Sequence, residues 1–290
     1  MAKNILLTGA GGFAGQNLKP YLEKHGFNVF AAASKDYDFT DAAVVRKLAD
    51  LSKADTFVLA GFYGISDPKN IPADIYEVNL KIFNNFLAAA GGSGPRDGGK
   101  TIFTFGSGAE FDKSKPIVKA KESDLGKNIP ADLYGRAKYL LSKEIEKHGN
   151  VYNLRLFGTY GPHESAARFP TYAITQNIKK EPIAMRQNVV FDYLYINDFC
   201  EIVKTFIQNP PVQRFINMTP GQSISLAEIS VLVNEIGGFK SPISAQQPGL
   251  ANEYTGDNSI LRAALPGFKF TSYEEGFKQF YNYLKKYGKI

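Results

Sequence analysis

The chain has 290 residues, of which 44% are hydrophobic and 21% are charged, and its formal net charge is +6. This composition is that of a globular protein with one large domain or two closely joined ones, and its dispersed lysines indicate no nucleic-acid partner. A single cysteine excludes a disulfide framework. The sequence also has no apolar run of roughly 20 residues and no secretion signal, so together these features predict a cytoplasmic protein without a membrane partner.

The first hundred residues alternate short apolar runs with segments of helical spacing. The strand-like runs are "KNILLTG", "FNVFAAA", "DTFVLAG" and "KTIFTFGS". The helical segments between them are "GQNLKPYLEKHG", "DAAVVRKLADLS" and "IYEVNLKIFNNFLAAA". This alternation predicts an α/β fold in which a doubly wound parallel sheet of Rossmann type carries helices on both faces.

The second part of the chain is less regular. The stretch "GGSGPRDGGK" at 91–100 predicts a flexible surface connection, and residues 112–130 predict a polar, proline-containing loop. The helix "ADLYGRAKYLLSKEIEKHG" and the strand "VYNLRLF" follow, and after residue 162 come mixed short elements and a terminal amphipathic helix, "YEEGFKQFYNYLKKYG".

Two domains are expected from this organisation. Residues 1–162, rejoined by about 188–212, form the Rossmann domain, and residues 163–187 and 213–290 form a smaller C-terminal substrate-binding domain. The ligand crevice should lie between the two domains, at the carboxyl edge of the sheet.

The glycines that follow the first strand predict a dinucleotide site. Gly9, Gly12 and Gly15 are three residues apart, follow a strand and open a helix within a βαβ unit. Small residues let the backbone approach a diphosphate, and the helix N-terminus offers unpaired N–H groups and the positive end of a dipole. A tight turn without a ligand is the alternative.

The motifs together resemble the extended branch of the short-chain dehydrogenase/reductase superfamily, whose members act on nucleotide-linked sugars. The matching strings occur in order along the chain: "TGAGGFAG", "DFTD", "DTFVLAG", "EVNL", "FGSG", "YGRAK", "RLFGTYGP", "FDYLYINDFC" and "GDNSILRAALPGFKFTSYEEG". The resemblance covers essentially the whole chain. It implies an NAD(P)-dependent enzyme that acts on a nucleotide sugar.

The string "YGRAK" supplies a phenol and an amine to one site. Tyr134 and Lys138 are four residues apart on a predicted helix and share a face. A nearby ammonium is expected to lower the pKa of the phenol and make it an effective general acid and base. The resemblance implies that Tyr134 exchanges the proton with the sugar, that Lys138 holds the nicotinamide ribose, and that Ser107 positions the substrate carbonyl.

The end of the second strand indicates which dinucleotide is bound. Ser34 and Lys35 stand where NAD-binding units carry an acidic side chain, and a hydroxyl and an ammonium fit a 2′-phosphate, which favours NADP over NAD. A surface lysine beside Asp36 is the alternative. The resemblance implies that Asp41 contacts the adenine. The other residues that it places beside the cofactor are Phe13, Leu59, Ala60, Gly61 and Asn79.

Departures from the family narrow the chemistry. Gly108 and Ala109 replace the acidic pair of the 4,6-dehydratases. In the 3,5-epimerase/reductases a Cys corresponds to Ala109, and a His is expected near Ala167 and Arg168. The remaining reactions are reduction of a 4-keto sugar nucleotide by NADPH, which the expected NADP preference favours, and 4-epimerisation with retained NAD. A non-catalytic NAD(P) sensor and a reductase of small aldehydes or ketones are further alternatives.

The substrate diphosphate has no family ligand in this sequence, because Gly158 and Phe191 replace the usual Asn and Arg. Arg168 and Arg186 are the candidate anion ligands, since a guanidinium matches phosphate geometry. We expect no metal site. His163 is expected to be a loop histidine and Cys200 a core residue. By the resemblance, helices within 73–90 and 131–148 are the candidates for a homodimer interface.

Overall fold

The computed structural model describes residues 3–64, 70–91 and 99–288. Most of the connection predicted at 91–100 lies outside these residues. The strands are β1 Asn4–Thr8, β2 Asn28–Ala32, β3 Thr56–Leu59, β4 Thr101–Ser107, β5 Ile117–Ala120, β6 Val151–Leu156, β7 Gly158–Tyr160, β8 Ile183–Met185, β9 Val190–Phe191, β10 Tyr193–Tyr195, β11 Phe215–Met218, β12 Ile224–Ser225, β13 Ile243–Ala245 and β14 Tyr254–Gly256. The helices are α1 Phe13–Lys24, α2 Ala42–Ser52, α3 Ile75–Ala90, α4 Leu133–Ile145, α5 Phe169–Lys179, α6 Ile196–Gln208, α7 Leu226–Gly237, α8 Ser259–Ala264 and α9 Tyr273–Tyr287.

The main sheet has six strands in the order β11-β6-β4-β3-β1-β2. Every neighbouring pair in it is parallel. The predicted Rossmann-type sheet is therefore confirmed. The strand order reverses at β1, so the carboxyl ends of β1 and β3 border the crevice in which such sheets bind ligands.

Both faces of this sheet are covered by helices, as predicted. Ile5 and Leu7 of β1 pack in one core, which includes Leu18 of α1 and Phe199 of α6. Leu6 points to the other face, whose core includes Leu48 of α2, Phe83 of α3 and Leu141 of α4. Burial on both faces explains why the strands are continuous apolar runs instead of alternating ones.

A second sheet joins the two parts of the chain. Its order is β12-β9-β14-β5, and β14 pairs with β5 and β9. The segment 112–130 therefore contains a strand, β5, where we predicted only a loop. A four-residue strand of this kind is formed by pairing with a distant part of the chain, and its local pattern does not reveal it.

The predicted domain boundary at residue 213 lies just before β11, which is a strand of the main sheet. The returning segment supplies α6, but β11 follows it and pairs in parallel with β6 as the edge strand of the same sheet. The main sheet thus extends past residue 213 through Met218, and the limits of the two domains stay a prediction.

The C-terminal helices are joined by a buried polar contact. Asn177 of α5 donates to Asn234 of α7 at 2.8 Å, and the hydroxyl of Tyr281 on α9 donates to Asn177 at 2.9 Å.

Over the described ranges, no helix combines the length and apolarity that a membrane span requires.

Candidate active site

The turn after β1 is built by three glycines in direct backbone contact. Gly9 has φ +66°, and a Cβ there would lie 2.6 Å from the Cα of Gly61. A Cβ at Gly15 would lie 2.6 Å from the Cα of Ala10, and one at Gly61 would lie 2.8 Å from the Cα of Gly9. No larger residue fits at these positions. The glycines hold the end of β1, the start of α1 and the end of β3 against one another.

The open side of this turn fits a diphosphate. A Cβ built at Gly11 would meet no atom within 4 Å, and Gly12 is the residue at which α1 is capped, without a side chain to bond the first amides. Those amides face the ligand side with the positive end of the helix dipole. The geometry therefore fits the predicted dinucleotide site, with Phe13 as the first residue of α1.

The segment after β3 is held by Asn79. Leu59 is buried at the end of β3 and Ala60 is half-buried. The side chain of Asn79 accepts from the amide of Tyr63 at 2.8 Å, and donates to the carbonyls of Tyr63 at 3.0 Å and Ile75 at 2.7 Å. Asn79 thus fixes the loop beside the crevice, and its direct contact with a cofactor stays a prediction.

The end of β2 is open to solvent. Ser34 and Lys35 are both exposed in the turn that follows this strand. Asp41 is the N-cap of α2, where its Oδ1 accepts from the amide of Ala43 at 2.8 Å. A 2′-phosphate at Ser34 and Lys35, and an adenine at Asp41, remain predictions.

Ser107 and Tyr134 meet because α4 packs closely on the turn that follows β4. Ser107 is the last residue of β4, and a Cβ at Gly135 would lie 2.6 Å from the carbonyl oxygen of Ala109. Asp132 caps α4 by accepting from the amide of Gly135 at 2.9 Å, which places Tyr134 in the first turn. The Ser107 side chain lies near enough to Tyr134 to act on the pKa of its phenol.

The pKa of Tyr134 is shifted in the opposite direction from the one we expected. Burial raises it above its ordinary value, while the Ser107 side chain and the positive charge of Arg168 oppose the shift. The net shift is therefore upward, and not the lowering that we expected from Lys138. Without a cofactor the phenol is therefore a proton donor, not a phenolate.

Lys138 lies one turn further along α4 and is buried. Its Nζ donates to the carbonyl of Phe105 at 2.9 Å and lies 4.0 Å from the ring centroid of Phe62. Burial lowers its pKa to about 8, and the carboxylate of Glu110 opposes this shift. The ammonium has three donor hydrogens, so it retains donors for a ribose after bonding Phe105.

A buried ion pair beneath Ser107 was not predicted from the sequence. Glu110 accepts from the backbone amide of Ser107 at 3.0 Å and from Nε of Arg155 at 2.7 Å. Asn153 donates to the same carboxylate at 3.3 Å, and Arg155 donates to Asn217 of β11 at 3.1 Å. This network fixes the backbone at Ser107.

Tyr254 of β14 is a second phenol near Ser107, and it was not predicted from the sequence. The Ser107 side chain acts on the pKa of this phenol as well. A Cβ at Gly108 would lie 2.7 Å from its hydroxyl oxygen. The string "NEYTGD" carries no local signal of this contact, which depends on the pairing of β14 with β5 and β9.

The two candidate arginines have different surroundings. Arg168 is exposed at the N-cap of α5, and its positive charge acts on the pKa of Tyr134, Tyr254 and Glu164. Arg186 directly follows β8 and is exposed. The charge of Arg168 thus acts on the two tyrosines near Ser107, and binding of a substrate anion by either arginine stays a prediction.

Glu164 lies beside Arg168 and was not singled out in the sequence. Its Oε2 accepts from the amide of Thr171 at 3.1 Å and from the hydroxyl of Thr171 at 2.5 Å. Burial raises its pKa to about 8, although these hydrogen bonds and Arg168 favour the charged form. The carboxyl group anchors the start of α5, and with it Arg168.

Aromatic packing explains one departure from the family pattern. A Cβ at Gly158 would lie 2.9 Å from the ring of Tyr193, so no asparagine fits there. Phe191 pairs with Tyr254 across the small sheet. The ring of Tyr193 thus accounts for the lack of a side chain at position 158.

The two residues that we expected outside the chemistry are placed as predicted. His163 is exposed in a loop and its ring contacts that of Tyr283, 5.6 Å away between centroids. Cys200 is buried in α6. Within residues 3–64, 70–91 and 99–288, no cluster of three or more His, Cys, Asp and Glu side chains is arranged to hold a metal ion.

Comparison with known proteins identifies similar sequences along most of the chain. The family model described as the NAD dependent epimerase/dehydratase family matches residues 5–218. The GDP-6-deoxy-D-talose 4-dehydrogenase of Aggregatibacter actinomycetemcomitans is 25% identical over 281 residues, which covers 92% of this chain and 93% of that protein. The ADP-L-glycero-D-manno-heptose-6-epimerase of Pseudomonas aeruginosa is 21% identical over 305 residues, covering 89% and 84%.

Solved structures share the fold. The GDP-mannoheptose C4 reductase MlghC from Campylobacter jejuni, with NADP bound, superposes with a TM-score of 0.82 at 20% identity and covers 98% of each chain. The Bordetella bronchiseptica enzyme WbmG, in complex with NAD and UDP, has a TM-score of 0.81 at 19% identity and covers 99% of this chain and 96% of its own.

Proposed function

The chain belongs to the NAD dependent epimerase/dehydratase family, and from that premise we propose that it reduces a 4-keto nucleotide sugar with NADPH. Membership confirms the resemblance found in the sequence. It also confirms that the protein is an enzyme and that its cofactor is NAD or NADP. The substrate, the direction of the reaction and the choice of NADP are the proposal.

One observation carries it: α4 packs closely on the turn after Ser107, the serine acts on the pKa of Tyr134, and the two residues after Ser107 carry no acid or base. Carbonyl reduction needs a hydride, a proton donor and a donor that orients the carbonyl. Dehydration needs a further acid and base. Gly108 also leaves no room for one, since a Cβ there would lie 2.6 Å from the ring of Phe157 and 2.7 Å from the hydroxyl of Tyr254.

The protein's own groups would divide the work as follows. Ser107 donates a hydrogen bond to the keto oxygen, and Tyr134, which burial keeps protonated, transfers its proton to that oxygen as the carbonyl becomes a hydroxyl. Lys138 holds the nicotinamide ribose with the donors that Phe105 leaves free. The bound dinucleotide supplies the hydride. The turn of Gly9, Gly12 and Gly15 would hold its diphosphate.

The exposed turn after β2 supports NADP. An ammonium at Lys35 and a hydroxyl at Ser34 attract a 2′-phosphate, whereas an acidic residue there would repel it. The enzyme would then draw on the NADPH pool and consume one NADPH per carbonyl reduced. The similar reductase with NADP bound is consistent with this proposal.

Similar proteins support reduction at C4, and the charge of Arg168 supports binding of the nucleotide diphosphate. Two of the similar proteins are described as a 4-dehydrogenase and a C4 reductase, each of a GDP-linked sugar. In this chain we propose that Arg168 binds the substrate diphosphate, because its charge acts on both phenols at Ser107. Arg186 stays a second candidate for the same anion.

A panel assay tests the proposal. GDP-, dTDP- and UDP-linked 4-keto-6-deoxyhexoses, each generated by a 4,6-dehydratase, are supplied with NADPH, and the loss of NADPH absorbance is followed. Oxidation with at least one of them supports the reductase. No oxidation with any of them, in a protein that binds NADPH, contradicts it.

A 4-epimerase with retained NAD is the second candidate, since the chain is also similar to a nucleotide-sugar epimerase. An epimerase would be purified with NAD bound and would interconvert sugars without net consumption of cofactor. Extraction and identification of the dinucleotide from the purified protein therefore separates the two. A non-catalytic sensor would bind dinucleotide and show neither activity.

The homodimer is also part of the proposal. Half-buried apolar side chains on the two candidate helices, Leu80 and Leu87 of α3 and Leu140 of α4, would pack against their counterparts. A light-scattering mass of two chains is expected, and a mass of one chain contradicts it. The cytoplasmic location and the limits of the substrate domain remain predictions.

A further inference from the structure

Ser107 lies near two phenols that come from different parts of the fold. The Tyr254 hydroxyl of β14 would lie 2.7 Å from a Cβ at Gly108, the residue that follows Ser107. Tyr134 of α4 is the other phenol, and the Ser107 side chain acts on the pKa of both. The amide of Ala109 also donates to Oγ of Ser107, at 3.1 Å. Three groups therefore lie near one hydroxyl.

A serine hydroxyl has one proton to donate and two lone pairs that accept. The Ala109 amide occupies one lone pair. We propose that Tyr254 is a positioning residue whose phenol donates into the second lone pair, so that Ser107 is left only with its own proton. That proton is directed at Tyr134 in the free enzyme and at the keto oxygen when substrate is bound. The inference rests on the proposed function, in which Ser107 donates to a carbonyl.

The surroundings of Tyr254 keep it a donor. Burial raises its pKa above the ordinary tyrosine value, and the neighbouring Tyr134 and Glu110 raise it further. The phenol thus stays protonated wherever the enzyme is folded and active. It is also an oxygen that no titration near neutral pH changes.

Tyr254 is also held in place more firmly than a loop residue would be. It pairs with Ile117 of β5 and Phe191 of β9, and its ring lies 5.4 Å from that of Phe157. Two residues later, the amide of Gly256 donates to the buried carboxylate of Asp192 at 3.0 Å. The phenol is therefore carried by a fixed strand.

The lack of a side chain at Gly108 complements this arrangement. A Cβ there would lie 2.7 Å from the Tyr254 hydroxyl and 2.6 Å from the Phe157 ring. Any larger residue would displace the phenol. Gly108 thus stands where the dehydratases carry an acid, and it also leaves space for the hydroxyl of Tyr254.

A double-mutant cycle tests the inference. The variants are Tyr254→Phe, which keeps the ring and its packing, Ser107→Ala, and the two combined. We expect kcat to fall about tenfold in Tyr254→Phe and about 10²–10³-fold in Ser107→Ala, with unchanged NADPH affinity. Because Tyr254 acts through Ser107, the double variant should be no slower than Ser107→Ala. Multiplied losses, or an unchanged kcat in Tyr254→Phe, overturn the inference.

Tyr281→Phe is the matched control. It also removes a phenol hydroxyl with a hydrogen bond inside the C-terminal part, but its partner is Asn177 on α5. We expect its kcat to equal that of the unmodified enzyme. A tenfold loss in this control would show that removal of any such phenol slows the enzyme, and would overturn the assignment.

Crystal structures of the NADP complexes separate failure of this inference from failure of the proposed function. If the unmodified enzyme oxidises no NADPH with any keto sugar, the proposed function fails, and the Ser107 side chain still provides a test. It should keep Oγ within hydrogen-bond distance of Tyr254 and of the Ala109 amide. It should rotate in Tyr254→Phe and not in Tyr281→Phe. An unrotated Ser107 in Tyr254→Phe contradicts the inference.

Discussion

Glu110 and Arg155 form an ion pair beneath Ser107, with Nε of Arg155 2.7 Å from Oε2 of Glu110 and neither residue exposed. The same carboxylate holds the backbone amide of Ser107. The pair thus links the end of β4 to β6, and through Asn217 to β11. Its role is to fix the position of the serine relative to the sheet.

Removing one partner of this pair should be strongly destabilising. Glu110→Ala leaves Arg155 buried without its counter-charge, which is expected to lower the free energy of unfolding by about 3–5 kcal/mol. Chemical denaturation measures the change. Glu23→Ala breaks the exposed pair with Lys19 and serves as the control, with little expected effect. Equal stabilities of the two variants would contradict a structural role for Glu110.

The glycine turn should tolerate a methyl group at one position and not at another. Gly15→Ala places a Cβ 2.6 Å from the Cα of Ala10, and we expect a loss of about 1–3 kcal/mol in the free energy of unfolding. Gly11→Ala in the same turn meets no atom within 4 Å and is the matched control for stability. Thermal unfolding of both variants decides between them. A stable Gly15→Ala would show that the turn is looser than described.

Tyr134→Phe should abolish most turnover and spare cofactor binding. Loss of the proton donor is expected to lower kcat by about 10²–10⁴-fold, while the dissociation constant of NADPH stays within about twofold. Tyr139→Phe, on the same helix, is the control. The catalytic assignment of Tyr134 fails if its variant turns over as fast as this control does.

The affinity for NADPH should depend on pH through Lys138. Its pKa is lowered to about 8, so the ammonium is present below that pH and is lost above it. We expect binding to weaken as the pH rises through about 8 in the unmodified enzyme, and to be weaker and independent of pH in Lys138→Met. Fluorescence titration of NADPH over this range measures the effect. Identical pH profiles for both proteins would contradict the role.

The protonation of Lys138 also affects the free energy of unfolding, which changes with pH in the opposite direction from the affinity for NADPH. Because the pKa of Lys138 is about 8 in the folded protein and 10.5 ordinarily, between these two pH values the lysine is protonated in the unfolded chain and largely neutral in the folded one. The contribution of Lys138 to stability is therefore least favourable below pH 8 and improves as the pH rises from about 8 to about 10.5.

Lys35 should discriminate between the two dinucleotides. Lys35→Ala removes the ammonium proposed to meet the 2′-phosphate, and we expect about a tenfold weaker affinity for NADPH with little change for NADH. Lys47→Ala, an exposed lysine on the next helix, is the control for the loss of one surface charge. If the affinities for the two dinucleotides change equally, Lys35 does not meet the 2′-phosphate.

The sequence predicted the features that local patterns encode. The alternation of apolar runs and helices gave the main sheet, and the spacing of Gly9, Gly12 and Gly15 placed the turn after β1. The four-residue interval between Tyr134 and Lys138 placed both side chains on the same face of α4. These features depend on neighbours within one or two elements, which periodicity reveals.

The missed features are made by contacts between distant residues. Tyr254 lies beside Gly108, the residue that follows Ser107, only because β14 pairs with β5 and β9. Glu110 and Arg155 meet because β4 and β6 are neighbouring strands. The direction of the Tyr134 pKa shift was wrong because burial, which no sequence interval reports, outweighs the other effects on that phenol.

The stoichiometry of NADPH consumption during conversion of a nucleotide-linked 4-keto-6-deoxyhexose is the most direct measurement. The proposed chemistry predicts one NADPH oxidised for each 4-hydroxyl formed, in a protein purified without bound dinucleotide. Conversion of one sugar epimer into another by a protein that retains NAD, with no NADPH consumed, would contradict it.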